Sequence, residues 1–382
     1  MQELGYRVYV LSGEPLWADD LTLLQAARAL PASWKKGVYN WEYRDGVPVM
    51  RFPYAVGVKW LGFPAHALSY TLSGLACVAH VAKTTNFDLI HAHTSYTDGT
   101  AATLCGYLYR RPTVITEHTG PFSLLTQNRL VRWFTQRAVN RCVGLIAVST
   151  SLLNNMREQI KIRPDLPRDV IPNIVDVSRF SPIEKSKFTD RFVLLWVGHL
   201  TAVKRVDRLL HAFRAAWGQN PKLFLRIVGG GELQAELQAL CSELGIAGSV
   251  EFVGPVSRDD LPPYYADSDC TVVSSDTETF SVVCIEAMSS GRPVVATKCG
   301  GPEDIISDRS VGVLVGRSVE ELAAGLLEIA RGTIPIDPQK ISDRARRLYS
   351  RAAVGREIKK VYDRAVARPP APAQTEAAGR RA

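Results

Sequence analysis

The sequence predicts an α/β fold of two domains, each a parallel sheet carrying helices. Three observations lead there. At 382 residues the chain exceeds the usual size of one domain. Short apolar strands alternate with helical segments in both halves, as βαβ units require. Strands in each half also run into polar or glycine-rich loops, Thr116-Glu117-His118-Thr119-Gly120 in one and Val228-Gly229-Gly230-Gly231 in the other. In open α/β sheets the carboxyl ends of the strands are where ligands bind.

Composition narrows the class. Apolar residues at 46% and charged residues at 22% are ordinary for a globular chain with a sizeable core. The net charge of +8 suits an anionic partner or a negatively charged membrane face. The basic residues are spread along the chain without aromatic-interleaved clusters, which argues against nucleic acid. Cys77, Cys105, Cys142, Cys241, Cys270, Cys284 and Cys299 are odd in number, contain no Cys-x-x-Cys pair and fall mostly in apolar runs. That pattern implies reduced, buried thiols and a cytoplasmic location. No signal peptide precedes Tyr6, and His66, Ser69, Ser73 and His80 interrupt the longest apolar window, so nothing is expected to span a membrane.

In the amino-terminal half, residues 4–11 are a glycine followed by an extended apolar strand. Residues 17–43 have aromatics and turn residues but no period, and are taken as a variable insertion. Residues 47–52 form a strand whose Pro48 suits an edge. A helix over 65–83 leads to a strand at 87–93, with His91 and His93 on one face of its carboxyl end. A metal pair there lacks a third ligand at a familiar spacing. Residues 112–120 are strand then loop, and the plain reading of His118 there is a satisfied core histidine. Residues 128–142 form a basic amphipathic helix, with Leu130, Val131, Trp133 and Phe134 among Arg129, Arg132, Arg137 and Arg141. Such a helix can lie on anionic lipid or pack its apolar stripe on the sheet. A strand at 144–149 follows.

The carboxy-terminal half opens after a polar boundary at 181–190. Residues 192–198 are a buried strand ending in Gly198, followed by His199 and, further on, Lys204 and Arg205. Residues 224–232 are a strand, a glycine loop that lets backbone come close to a ligand, and the start of a helix. A further strand covers 250–254 and a short helix 261–266. The stretch 274–306 then organises the domain: a polar turn, a helix from Phe280 closed by Gly291, a strand, and the turn Gly300-Gly301-Pro302 into another helix. Glu278 lies in the loop and Glu286 within the helix. Between them the first-turn amides of Thr279, Phe280 and Ser281 can receive an anion, aided by the helix dipole. Two acids flanking an anion site suit hydroxyl groups on either side of a phosphate, the chemistry of a nucleotide sugar. The plainer alternative is a capped surface helix with two solvated acids. A strand at 313–315, a helix over 319–331 and amphipathic helices over 338–366 complete the chain, and the proline-rich segment from 367 is expected to be disordered.

These residues carry a resemblance. Glu278, Phe280, Glu286-Ala287-Met288, Gly291-Arg292-Pro293-Val294-Val295-Ala296-Thr297 and Gly300-Gly301-Pro302-Glu303 resemble the signature of retaining glycosyltransferase family four. Pro172-Asn173-Ile174-Val175-Asp176, Gly198 with Lys204, and Thr116 with His118 resemble further family patterns. The sequence departs at Ser281 and Arg205, where the family has glycine, and at His199, where it has arginine. A histidine cannot reproduce arginine's bidentate fork.

The resemblance implies a GT-B fold, two Rossmann-like βαβ domains facing across a cleft. The amino-terminal acceptor domain is expected at 1–180, the nucleotide-sugar domain at 181–345, a helix crossing back at 346–366 and a tail at 367–382. Residues 4–11 resemble the family's second strand, so the first strand and its Gly-Gly loop are expected to be missing. The implied reaction moves a hexose from a nucleotide-diphosphate sugar to a saccharide or lipid-linked acceptor, with retention, in cell-surface polysaccharide or glycolipid synthesis. Lys204 would neutralise the leaving diphosphate, Glu278 and the amides of Thr279, Phe280 and Ser281 would hold hexose and diphosphate, and Glu286 would take the ribose. Gly198, His199, Arg205 and Gly229 would border the donor, and His118 the transferred sugar or acceptor. No cofactor is expected, since fixed dipoles and a lysine supply the charge, and the stretch has no Asp-x-Asp. An epimerase acting on nucleotide sugars and an inactive relative that binds without transfer are the alternatives.

Overall fold

The computed structural model describes residues 1–17, 40–56, 62–182 and 190–367. Most of the insertion expected at 17–43, most of the boundary at 181–190 and nearly all of the tail from 367 lie outside the described residues. The chain divides into two compact units, one of Met1–Ala147, Asn155–Val170 and the chain from Gly355, the other of Val148–Asn154 and Ile171–Val354.

The first unit holds β1 (Val10–Trp17), β2 (Glu42–Arg44), β3 (Val47–Val56), β4 (Ile90–His93), β5 (Thr113–Glu117), β6 (Gly144–Ala147) and β7 (Arg168–Val170). They form two sheets, a three-stranded one ordered β1-β3-β2 and a four-stranded one ordered β4-β5-β6-β7. The four-stranded sheet is parallel throughout. Its central strands β5 and β6 are buried along their whole length, which is why they read as apolar runs rather than alternations.

The first strand begins later than the sequence suggested. Gly5, at φ 85°, closes a short 3-10 turn over Gln2–Leu4. Tyr6 then donates its hydroxyl to Asp363 and stacks edge-on against Tyr362, so this segment packs on the last helix and the ladder starts at Val10. Strand β3 is not an edge strand, as its proline had suggested, but lies between β1 and β2. It tolerates two prolines because each has a partner on one side only. Pro48 pairs with Tyr43 before the β1 ladder starts at Val49, and Pro53 pairs with Glu14 after β2 has ended. The β2–β3 hairpin turns on Asp45 and Gly46 at φ 50° and 77°, the left-handed pair that a two-residue hairpin demands.

The second unit holds β8 (Phe192–Val197), β9 (Leu223–Val228), β10 (Val250–Gly254), β11 (Cys270–Val273), β12 (Val294–Thr297) and β13 (Gly312–Val315). They form one parallel sheet ordered β10-β9-β8-β11-β12-β13. Strands β11 and β12 are buried on both faces. The helices Val206–Trp217 and Val319–Ala330 cover one face, with Leu209, Leu210, Phe213, Leu322 and Leu326 packed against Leu194, Leu225 and Val295 in a single core. The chain builds outward from β8 to β10, then returns to β8's other side and builds outward again to β13. The order therefore reverses between β8 and β11, and there the connections leave a crevice at the carboxyl ends of the strands. All seven cysteines are free thiols buried within the units. Among the described residues no helix is long and apolar enough to cross a membrane.

Candidate functional site

A cavity of about 330 Å³ opens at this reversal point. Its floor is the carboxyl ends of β8 and β11, Trp196-Val197 and Val272-Val273, and its walls include Lys204, Ser275 and Glu278. Lys204 ends a 3-10 turn over Ala202–Lys204 that the neighbouring loop holds in place. Ser274 donates its hydroxyl to the Lys204 carbonyl at 2.8 Å, and Asp276 N–H donates to the Val203 carbonyl at 2.9 Å. The Lys204 ammonium then reaches Glu278 Oε1 at 2.7 Å, and Ser275 Oγ donates to that same oxygen at 2.7 Å. Both members are partly shielded, with side-chain exposures of 28% and 14%. Sequence reasoning placed Lys204 and Glu278 in one site. It missed Ser275, whose only signal was its place in the polar turn.

The loop carrying Glu278 is fixed by backbone contact with Gly300 and Gly301. Glu278 N–H donates to the Cys299 carbonyl and Gly301 N–H returns to the Glu278 carbonyl, each at 2.8 Å. A Cβ on Gly301 would lie 2.3 Å from the Phe280 carbonyl oxygen, and one on Gly300 2.6 Å from that of Glu278. The Gly-Gly pair, read in the sequence as a turn, is thus also a close-packing surface for the site loop.

The helix that follows starts later than the sequence suggested. It begins at Val282, not Phe280, and runs to Ser289, with Ser281 as its N-cap at φ 75° and ψ 77°. The left-handed backbone at Ser281 is the conformation glycine adopts at no cost. Thr279, Phe280 and Ser281 line the cavity together with Val282 and Val283. The first-turn amides of the helix are therefore those of Ser281, Val282 and Val283, on residues that line the cavity beside Thr279 and Phe280. Such first-turn amides lack intrahelical acceptors and attract an anion.

Gly198 and Gly229 close the β8 and β9 ends against each other. Gly198 N–H donates to the Val228 carbonyl at 3.0 Å, and Gly229, at φ 132°, would place a Cβ 1.8 Å from the Gly198 carbonyl oxygen. The glycine at 229 is required by this approach, whatever ligand sits above it. His199 is exposed at the end of this strand. Arg205, left-handed at φ 51°, turns its guanidinium to Asp207 and Asp276, and these carboxylates hold its proton even more firmly than usual. Neither His199 nor Arg205 lines the cavity.

Glu286 lies in the same helix but not in the cavity lining. It is buried, with 4% exposure, and accepts a hydrogen bond from the fully buried Tyr265 hydroxyl at 2.7 Å. Burial raises its carboxyl above the ordinary value, against the pull of Tyr265 and of Arg258, whose guanidinium stands 3.8 Å away.

His118 belongs to the first unit, at the end of β5. Its Nε2 lies 3.0 Å from His93 Nδ1, and the two rings stack at 5.3 Å with 13° between their planes. His91 contacts Tyr362 at 2.7 Å and Thr116 at 2.6 Å, and burial with its histidine neighbours pulls it down to about 3. The buried carboxylate of Glu117, to which the sequence assigned no role, holds this strand end. It accepts N–H bonds from Ser95 at 2.8 Å, His118 at 2.9 Å and Thr119 at 2.7 Å, and also the Ser95 hydroxyl.

Comparison with known proteins gives the two halves separate matches. The family model described as Glycosyltransferase Family 4 matches residues 1–179, and that described as Glycosyl transferases group 1 matches residues 178–348. The chain is 34% identical over 174 residues to the D-inositol 3-phosphate glycosyltransferase of Geodermatophilus obscurus, covering 41% of this chain and 39% of that protein. It is 27% identical over 359 residues to that of Corynebacterium kroppenstedtii, covering 85% and 77%. Among solved structures, Anabaena Alr3699/HepE in complex with UDP aligns with a TM-score of 0.70 at 19% identity, covering 93% of this chain and 99% of that one. Sucrose-phosphate synthase from Thermosynechococcus elongatus aligns at 0.66 and 18% identity, covering 93% and 98%.

Proposed function

The chain belongs to the family four, group 1 glycosyltransferases and has their GT-B fold, and from that premise we propose that it transfers a hexose from a nucleotide-diphosphate sugar to a hydroxyl of a saccharide or lipid-linked acceptor, with retention and without a metal. The observation that carries this reading is the Lys204–Glu278 pair in a cavity at the sheet's reversal point, beside the first-turn amides of Ser281, Val282 and Val283. The bond from the anomeric carbon to the diphosphate oxygen loosens first, and its electron pair moves onto the diphosphate. A lysine and fixed amide dipoles meet that charge where it develops, without having to reorganise. The acceptor oxygen then bonds to the anomeric carbon and its proton passes to the leaving group.

Glu278 binds hexose hydroxyls in this reading, with Thr279 and Phe280 beside it. Glu286 binds the ribose, His118 contacts the transferred sugar or acceptor, and Gly198, His199, Arg205 and Gly229 border the donor. The relatives' names support glycosyl transfer, and the UDP in the Alr3699/HepE complex supports a nucleotide-sugar donor on the same fold. The enzyme works in the cytoplasm against an anionic membrane surface, in the synthesis of cell-surface polysaccharide or glycolipid.

The test is a panel of nucleotide sugars incubated with and without candidate acceptors, with mass detection of released nucleoside diphosphate and of the sugar. Acceptor-dependent release that Lys204→Ala abolishes is the expected result. Sugar isomerisation with donor alone would replace this reading with an epimerase.

A further inference from the structure

A second cavity, of about 550 Å³, lies in the first unit, between the helix Arg129–Arg141 and the segment that leaves the helix Thr150–Gln159. Arg132, Arg157, Lys161 and Arg168 line it, against the single acid Glu158. The cationic surface continues along the first of these helices through Arg129, Arg137 and Arg141. Among the described residues no carboxylate forms an ion pair with Arg129, Arg132, Arg137, Arg141, Lys161 or Arg168, whereas nearby Arg163 is paired with Asp165. Burial, and after it the neighbouring Arg137, lower the basicity of Arg141.

The same helix has a second property. It buries Val131, Thr135, Ala138 and Val139 in the unit and leaves the opposite side bare. Leu130 and Trp133 are 56% and 51% exposed there, and Leu124, just before the helix, is 59% exposed. The Arg137 guanidinium lies over the Trp133 ring, 5.2 Å from its centre.

Arg132, Lys161 and Arg168, unneutralised around a cavity and beside exposed leucine and tryptophan side chains, match both layers of one partner. We propose that this face docks on an anionic phospholipid bilayer, with headgroup phosphates at the Arg132–Lys161–Arg168 cavity and Leu124, Leu130 and Trp133 entering the interfacial layer. Long basic side chains and an interfacial tryptophan favour that depth. A nucleic acid would use the cations and could stack on Trp133, but it would gain nothing from the two leucines. The docking rests on the membrane contact in the reading above, and vesicle binding without turnover tests it separately from sugar transfer.

The experiment is sedimentation of the full chain with phosphatidylcholine vesicles, with and without phosphatidylglycerol. Binding should require phosphatidylglycerol and weaken as salt is raised. Arg132→Glu/Arg137→Glu should lower the partition coefficient at least about twenty-fivefold, at roughly fivefold per removed charge. Trp133→Ser should lower it severalfold at unchanged charge. Arg346→Glu/Arg347→Glu, the same charge change at two exposed positions of a helix in the other unit, should leave most of the binding. Equal binding to both vesicle types, equal loss with the control pair, or full binding by Arg132→Glu/Arg137→Glu would each overturn the assignment. If the double variant melts early, the salt dependence of the native chain and the Trp133→Ser variant decide it.

Discussion

Lys204 Nζ stands 2.7 Å from Glu278 Oε1, so the cation assigned to the leaving diphosphate is held by the acid assigned to the sugar. A donor must draw the ammonium toward its phosphates while its hexose hydroxyls take over Glu278. Lys204→Ala should therefore lower kcat by a hundredfold or more, about the cost of one lost transition-state donor. The urea unfolding free energy should change by no more than about 1 kcal/mol, because the pair is partly solvated. Single-turnover kinetics and a urea titration check both. Full activity in this variant would remove leaving-group stabilisation from Lys204.

Ser281 carries a left-handed backbone that costs an L-residue about 1 kcal/mol. Ser281→Gly should therefore raise the unfolding free energy by up to about that amount. Ser281→Val, with a branched Cβ, should lower it. Urea midpoints for the pair give the sign, and a drop in the glycine variant would mean that the Ser281 hydroxyl matters more than its backbone.

Gly229→Ala and Gly301→Ala force a Cβ into the Gly198 and Phe280 backbones. Each should cost about 3 kcal/mol or more, since the struck atoms are main chain and cannot swing aside. Gly248 meets nothing within 4 Å, so Gly248→Ala serves as the control and should be near neutral. Thermal melts of the three variants rank them directly.

Glu286 sets a pH dependence with a definite sign. Burial raises its folded-state value above the ordinary 4.5, so the native chain keeps this proton to higher pH than the unfolded chain does. Its contribution to stability is complete below about the ordinary carboxylate value and is lost as pH rises through the raised value. Tyr265→Phe removes a bond that favours the charged form and should deepen the loss toward neutral pH. Glu286→Gln should abolish this component. Urea midpoints measured from acid to neutral pH for the three proteins test it, and an unchanged pH slope in Glu286→Gln would exclude the assignment.

Much of the second unit was legible in the sequence because its strands are buried on both faces and punctuated by glycine. The βα order followed from residue type and spacing, while the Lys204–Glu278 site and the odd position of Ser281 followed from the family resemblance. What escaped depends on contacts between distant segments. Gly300 and Gly301 look like turn formers, and only the fold shows them pressed on the main chain of Glu278 and Phe280. The helix starts at Val282, just after the segment in that contact. Arg205 pairs with Asp207, two residues on, and with Asp276, far along the chain, and only the second of these partners had no local signal. In the first unit, Pro48 suggested an edge because one-sided pairing in a central strand is invisible without the register. The β2–β3 hairpin was missed although Asp45-Gly46 is a strong turn signal, since the segment before it has no clean period.

The main-chain approach of Gly229 to Gly198 limits how this scaffold can diversify. Where two loops are locked carbonyl to α-carbon, no side chain can be added to retune the ligand without prising the sheet ends apart. Changes in sugar or base preference must then arise at neighbours with room to vary, such as exposed His199 or the cavity-lining Thr279. A mutational library confined to those positions should yield altered donors from folded protein, while one centred on Gly229 should yield chiefly insoluble chains.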